Sequence, residues 1–154
     1  LLGSGKVPRL LVQMLEVIGN RHPEVQLKIN SQLHAEARYQ LALDDLTLSL
    51  NVLLDNCAQM ATGELPTPLC VQCELQPWSG GVVLVVADNG KGFSAIDLPR
   101  LGKELLSERP AGRGMGLYLI GGLIERLGGQ MLLRNRPEGG AEVRLRWPAK
   151  EVTA

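Results

Sequence analysis

The sequence predicts an α/β two-layer sandwich, with a mixed, mainly antiparallel sheet of about five strands and three helices on one face. Three observations predict it. Three segments carry apolar residues at helical spacing, and about five shorter ones alternate or run apolar like strands. The later strands come as hairpins turned by glycine, and no βαβ unit repeats. With 154 residues, 45% hydrophobic and 21% charged, the chain suits one folded domain rather than a disordered segment.

The elements follow in order. Leu1-Leu2-Gly3-Ser4-Gly5 reads as a cut end or vector-derived remnant, so residues 1–7 are set apart from a domain expected over 8–150, with 151–154 as a tail. The chain is therefore expected to be a fragment of a longer protein. A first helix is expected over Pro8–Asn20: Pro8 suits the first helical position, and Leu10, Leu11, Met14, Leu15 and Ile18 share a face. Val25–Ile29 alternates like a half-buried strand, and Asn30–Leu43 is ambiguous. Asp44 or Asp45 caps a second helix running to about Ala61, with Leu46, Leu50, Leu53 and Leu54 inward. Gly63, Pro66 and Pro68 stop it. Leu69–Leu75 and Val82–Ala87 form a hairpin around Pro77–Gly81. A short helix is expected near Leu98–Leu106, and a third main helix from about Gly116 to Leu127, stopped by Gly128-Gly129. Gln130–Arg134 and Ala141–Trp147 close the chain as a second hairpin.

Charge and cysteine usage narrow the function. Sixteen basic and 16 acidic side chains give a net charge of zero, against a general nucleic-acid binder. The charges are unevenly spread, with arginine concentrated from Arg100 onward and acid over Glu36–Glu74. No apolar run reaches the length of a membrane span and no signal peptide opens the chain, so no direct membrane contact is expected. Cys57, Cys70 and Cys73 are an odd set suited to a reducing compartment. Cys70-Val-Gln-Cys73 has the spacing of half a zinc site, but no second pair completes it, and His22 and His34 stand alone.

Three segments carry chemistry. Asn56 lies in the leucine-rich second helix, where a poor helix former is out of place and an amide oxygen suits Mg²⁺. Its plain alternative is a solvated helix face. Asp88-Asn-Gly-Lys-Gly-Phe93 directly follows an apolar strand. A carboxylate at a strand end accepts a hydrogen bond from an exocyclic amine, while Gly90 and Gly92 permit backbone angles and ligand approach that a Cβ blocks. The plain alternative is a type I′ turn at Asn89-Gly90, but no strand-like run follows Phe93. Gly112-Arg-Gly-Met-Gly-Leu117 opens a helix, aiming backbone N–H groups and a positive dipole end at a phosphate. A flexible glycine linker is the alternative there.

In this order the three segments resemble the GHKL ATPase and kinase superfamily, and the chain is similar throughout to the catalytic ATP-binding domain of bacterial sensor histidine kinases. The resemblance implies a Bergerat-type fold. It implies that Asn56 holds Mg²⁺, that Asp88 binds the adenine with Gly90 and Gly92 completing its box, and that Gly112, Gly114 and Gly116 cradle the triphosphate of ATP. Met115 and Leu117 belong to the same glycine box, and Gln59 and Lys91 stand at further nucleotide contacts. The Leu127-Gly-Gly-Gln130 and Glu138-Gly-Gly-Ala141 runs and the ending Arg146-Trp-Pro148 resemble the closing strands of the kinase branch. The short lid, Leu101–Pro110, most resembles RegB-type redox-responsive kinases.

The pattern has departures. Many members place a second Asn four residues before the metal ligand, where this chain has Val52; Asn51 is turned about 140° from Asn56. Gln59 and Met60 replace a basic phosphate contact and an aromatic, and Lys103-Glu-Leu-Leu106 replaces a Phe-rich box. Arg113 is the best candidate to steady the γ-phosphate, ahead of Arg109 and Lys91. No phosphoacceptor histidine is found, so the expected partners are a histidine-containing dimerisation domain of the parent kinase and a downstream response regulator. The expected location is the cytoplasm. Two rival readings remain: a degenerate interaction module without nucleotide, and an anti-sigma-type serine kinase, which should carry Glu where Val52 stands.

Overall fold

The computed structural model describes residues 2–6, 13, 15–17, 19–21, 23, 25–33, 38–42, 48–55, 69–101 and 113–148. Seven strands fall among them: β1 (Leu2–Lys6), β2 (Val25–Ser31), β3 (Arg38–Ala42), β4 (Leu69–Trp78), β5 (Gly81–Asp88), β6 (Gln130–Asn135) and β7 (Ala141–Pro148). Helical residues are described at 13, 15–17 and 19–20 (α1), at 48–55 (α2) and over Arg113–Arg126 (α3).

Five strands form one sheet in the order β2-β4-β5-β7-β6. Only β2 and β4 are parallel; the other three pairings are antiparallel, giving the mixed, mainly antiparallel sheet expected. The β4–β5 hairpin is tighter than Pro77–Gly81 suggested. Pro77 and Trp78 remain in the strand, paired with Val82 and Gly81, and only residues 79–80 turn. Pro77 is tolerated because β2 pairs with β4 only as far as Leu75, so no ladder on that side needs its missing N–H.

Residues 2–6 form a strand of their own outside the main sheet. Leu2–Lys6 pairs antiparallel with Arg38–Ala42 as a separate two-stranded ribbon. Two glycines and no apolar alternation conceal a strand whose partner lies over thirty residues away; pairing, not propensity, makes it.

One face of the sheet carries the helices. Leu69, Val71, Cys73 and Leu75 of β4, Val82, Leu84 and Val86 of β5, and Val143, Leu145 and Trp147 of β7 point to it by strand alternation. They form one cluster with Leu15 of α1, Leu50, Leu53 and Leu54 of α2, and Leu117, Ile120 and Ile124 of α3. The three α2 leucines are thus where helical spacing placed them; Leu10, Leu11, Met14, Ile18 and Leu46 lie outside the described residues. On the opposite face, Val83 and Val85 remain buried although none of the described helices lies on that side. Both sit mid-sheet, flanked in register by Gln76 and Arg146, and by Glu74 and Arg144, whose long stems shield them.

Helix α3 starts at Arg113, three residues before the expected Gly116. Glycine does not delay it, because the first turn's N–H groups need no partner within the helix. Its end is as expected: Gly129 N–H donates to Ile124 O (2.8 Å) and Gly128 N–H to Glu125 O (2.9 Å), the paired bonds of a Schellman cap. The short helix expected near Leu98–Leu106 begins earlier, as turns over 95–101. Leu98 N–H donates to Ser94 O (2.9 Å) and Leu101 N–H to Asp97 O (3.1 Å); Pro99, lacking an N–H, divides the two turns. Residues 102–110, most of the RegB-like lid, lie outside the described residues.

Candidate functional site

The topology sets up the site before any side chain does. Because α3 and β6 intervene and β7 returns beside β5, the start of β7 lies against the end of β5. The register that pairs Ala87 with Glu142 puts Asp88 next to Ala141. Asp88 is buried, at 4% exposure, yet its carboxylate is not bare. Oδ1 accepts from Gly90 N–H (2.9 Å) and from Ala141 N–H (3.1 Å). Among the described residues both donors converge on Oδ1, which leaves Oδ2 as the oxygen for an outside donor.

The loop after Asp88 is not a hairpin turn. Neither Asn89 nor Gly90 has positive φ, which a type I′ turn requires at both positions. Gly90 does not use a left-handed conformation, and its N–H serves the Asp88 carboxylate. Gly92 does use its freedom: φ is +79°, and a Cβ there would stand 2.7 Å from Asn135 Oδ1. Asn89 faces away from the carboxylate, its Oδ1 accepting from Cys70 N–H (2.9 Å) at the start of β4. Lys91 is exposed at the loop's crest.

The other wall was not legible in the sequence. Asn135, the last residue of β6, accepts from Phe93 N–H (2.7 Å) and donates through Nδ2 to Phe93 O (2.9 Å). Arg136 donates from Nη1 to Asp88 O (2.6 Å) and pairs with Glu138 at 2.7 Å. The β6–β7 turn closes on itself through Arg136 N–H to Gly140 O (2.8 Å) and Gly139 N–H to Arg136 O (3.0 Å). The only sequence signal was the Glu138-Gly-Gly-Ala141 run, legible as a turn but not as a wall of the site.

The remaining candidates divide. Gly114 and Met115 lie in the first turn of α3 behind Arg113, so the N–H groups of these three residues are among those a helix leaves unpaired. The side chains of Arg113 and Met115 are not among those described. Gly116 is half-buried one step further in. Leu117, expected as a ligand contact, places its side chain in the core at 2% exposure, and its N–H falls within the helical ladder. Val52 likewise packs against the core. Asn56, Gln59, Met60, Arg109 and Gly112 lie outside the described residues, as do His22, His34 and Cys57. Cys70 is half-buried and Cys73 buried, and no group of three His, Cys, Asp or Glu side chains fit to hold a metal occurs among the described residues.

Comparison with known proteins bears on this geometry. The family described as histidine kinase-, DNA gyrase B- and HSP90-like ATPase matches residues 42–151. The histidine protein kinase DivJ of Caulobacter vibrioides is 36% identical over 76 residues, 46% of this chain and 13% of that kinase. The sensor histidine kinase component HK1 of Mycobacterium tuberculosis is 30% identical over 109 residues, 68% of this chain and 61% of that protein. The chain thus spans less than two thirds of either relative's length. The solved catalytic domain of histidine kinase ThkA superposes with a TM-score of 0.79, covering 96% of this chain and 95% of that one; at 16% identity the likeness is one of fold.

Proposed function

This chain belongs to the histidine kinase-, DNA gyrase B- and HSP90-like ATPase family, on the sensor histidine kinase branch, and from that premise we propose that it binds Mg-ATP for phosphoryl transfer to a histidine on a separate dimerisation domain. The domain over residues 8–150 is then the catalytic part of a two-component kinase, with a response regulator downstream. No described helix is long and apolar enough to cross a membrane, and the proposed location is the cytoplasm.

One observation carries the reading. A buried Asp88 carboxylate is pinned through one oxygen by two main-chain N–H groups, which leaves its other oxygen to accept from an outside donor. An ionised carboxylate only accepts, so the matching group is an amine, and the adenine exocyclic amine is the nucleotide group of that kind. In the proposed site Gly92 lets the main chain approach the base, and Gly90 with Lys91 completes that wall. The start of α3, with Gly114, Met115 and Gly116, offers main-chain N–H groups to the phosphates, Gly112 joins them from the family pattern alone, and Arg113 steadies the γ-phosphate. Asn56 is the metal ligand and Gln59 a phosphate contact, both assigned from the family pattern alone. When bound, Mg-ATP supplies the phosphoryl group; the protein contributes position and charge neutralisation. No base within the chain is assigned, and the isolated chain is expected to bind nucleotide and transfer little.

Calorimetric titration with a non-hydrolysable ATP analogue and Mg²⁺ tests this, comparing the chain with its Asp88→Asn variant. The expected outcome is binding that the variant loses by at least about tenfold, since an amide offers a donor where the amine requires an acceptor. Equal binding by both would remove Asp88 from the site. A second reading, a non-catalytic docking module, rests on Val52, whose packing against the core leaves no second polar group one turn before Asn56. The same titration favours it if the unaltered chain binds no nucleotide.

A further inference from the structure

We propose that Asn135 and Arg136 are positioning residues for base recognition: the β6–β7 turn grips both ends of the Asp88–Phe93 loop and so fixes where the Asp88 carboxylate points. The proposal rests on the nucleotide-binding reading above and adds residues to it. The grip is two-handed. At the loop's start, Arg136 Nη1 donates to Asp88 O at 2.6 Å; at its end, Asn135 binds Phe93 N–H at 2.7 Å and Phe93 O at 2.9 Å. Between them Gly92 sits so close that a Cβ would meet both Asn135 Oδ1 (2.7 Å) and Gly140 O (3.3 Å). Both gripping residues stand at the end of β6, whose whole length pairs with β7, so the loop is referenced to the sheet rather than to itself.

The guanidinium is itself held. Glu138 Oε1 accepts from Arg136 Nε at 2.9 Å and pairs with Nη2 at 2.7 Å, while the Arg136 side chain is only 20% exposed. A planar fork fixed on one edge presents its remaining donor in one direction. This supports selectivity rather than raw affinity. A carboxylate in a fixed place rewards an amine at the base's C6 position and repels a carbonyl there, but one free to swing avoids the carbonyl and loses the distinction. Adenine and hypoxanthine differ at that atom.

The experiment measures affinities of the whole chain for Mg-ATP and Mg-ITP by calorimetry, in the unaltered protein and in Arg136→Ala, Asn135→Ala and Arg136→Lys. The unaltered chain is expected to favour ATP. Each alanine variant is expected to lower the ATP-over-ITP ratio by about tenfold, and Arg136→Lys to restore most of it, because one donor suffices for the Asp88 carbonyl. A purely structural role would weaken both nucleotides equally, so an unchanged ratio overturns the proposal. If the alanine variants do not fold, Glu138→Gln supplies the readout: it loosens the fork from an exposed position, with an expected drop of about threefold. An unchanged ratio there overturns it equally. A chain that binds neither nucleotide in unaltered form refutes the functional reading itself, a result seen before any variant is made.

Discussion

Gly140 lies directly against the carbonyl of Asp88: its φ is +91°, and a Cβ built on it would fall inside van der Waals contact with that oxygen. The turn that braces the carboxylate therefore depends on a residue with no side chain. Gly140→Ala combines a strained backbone with a clash against main chain that cannot rotate away. It is expected to destabilise the fold by about 2–4 kcal/mol, read by urea unfolding. A loss near zero would mean that the turn is looser than described.

The outer face of the sheet carries an ion cluster whose effect depends on pH. Arg134 (2.5 Å) and Arg144 (3.1 Å) both donate to Glu142, whose carboxyl is held below the usual carboxylate range, first by the Arg134 hydrogen bond and against the opposing effect of burial. A depressed carboxyl stabilises the fold above the ordinary carboxylate range, and that contribution fades as pH falls through the folded-state value. Glu142→Gln is thus expected to melt lower than the unaltered chain at pH 7, with the two midpoints converging on acidification. A gap that persists at low pH would place the effect in packing instead.

Thiol reactivity should separate the two described cysteines. Burial pushes the Cys73 thiol up to about 12, so near pH 8 roughly one molecule in ten thousand carries the reactive thiolate. Cys70, on the opposite face of the same strand, is half-buried. Alkylation of native protein followed by peptide mass spectrometry should mark Cys70 well before Cys73. A raised thiol value also makes its contribution to stability complete at neutral pH and lost only as pH climbs toward it. Comparable rates at both positions would contradict the burial of Cys73.

The core makes a plainer demand. Leu145 of β7 and Ile120 of α3 are fully buried in one cluster, on opposite layers of the sandwich. Either residue changed to alanine is expected to cost about 2–5 kcal/mol in chemical denaturation. A much smaller figure at both would indicate that the helix layer does not close over the sheet as described.

Much of this molecule is legible in its residues alone. Leu50, Leu53 and Leu54 recur at helical spacing and lie in the core; Leu69–Leu75 and Val82–Ala87 alternate or run apolar and form the central hairpin; Gly128-Gly129 ends α3. Each is a local signal, set by periodicity or by a residue that tolerates a conformation others do not. Helix α3 starts earlier than its glycines suggest because glycine weakens a helix interior but not its first turn. The Leu2–Lys6 strand is not legible in the sequence because neither it nor Arg38–Ala42 carries a pattern that names the other. In the site, Asp88 and Gly92 announced themselves by following an apolar strand in a glycine-bearing loop. Asn135 and Arg136 did not: an Asn and an Arg before a turn are ordinary until the register brings them against residues more than forty positions away.

The chain alone determined its fold class and the carboxylate at the end of the central strand, because these rest on short-range periodicity and on residue types whose chemistry is fixed; its family was legible only as a resemblance in the order of three motifs. Only the tertiary structure decided which oxygen of Asp88 is tied, that Gly90 serves through its N–H, that Leu117 belongs to the core, and that the β6–β7 turn braces the loop. Those depend on strand order and register, and register is settled by which faces bury together, a property of the whole sheet that no local stretch encodes.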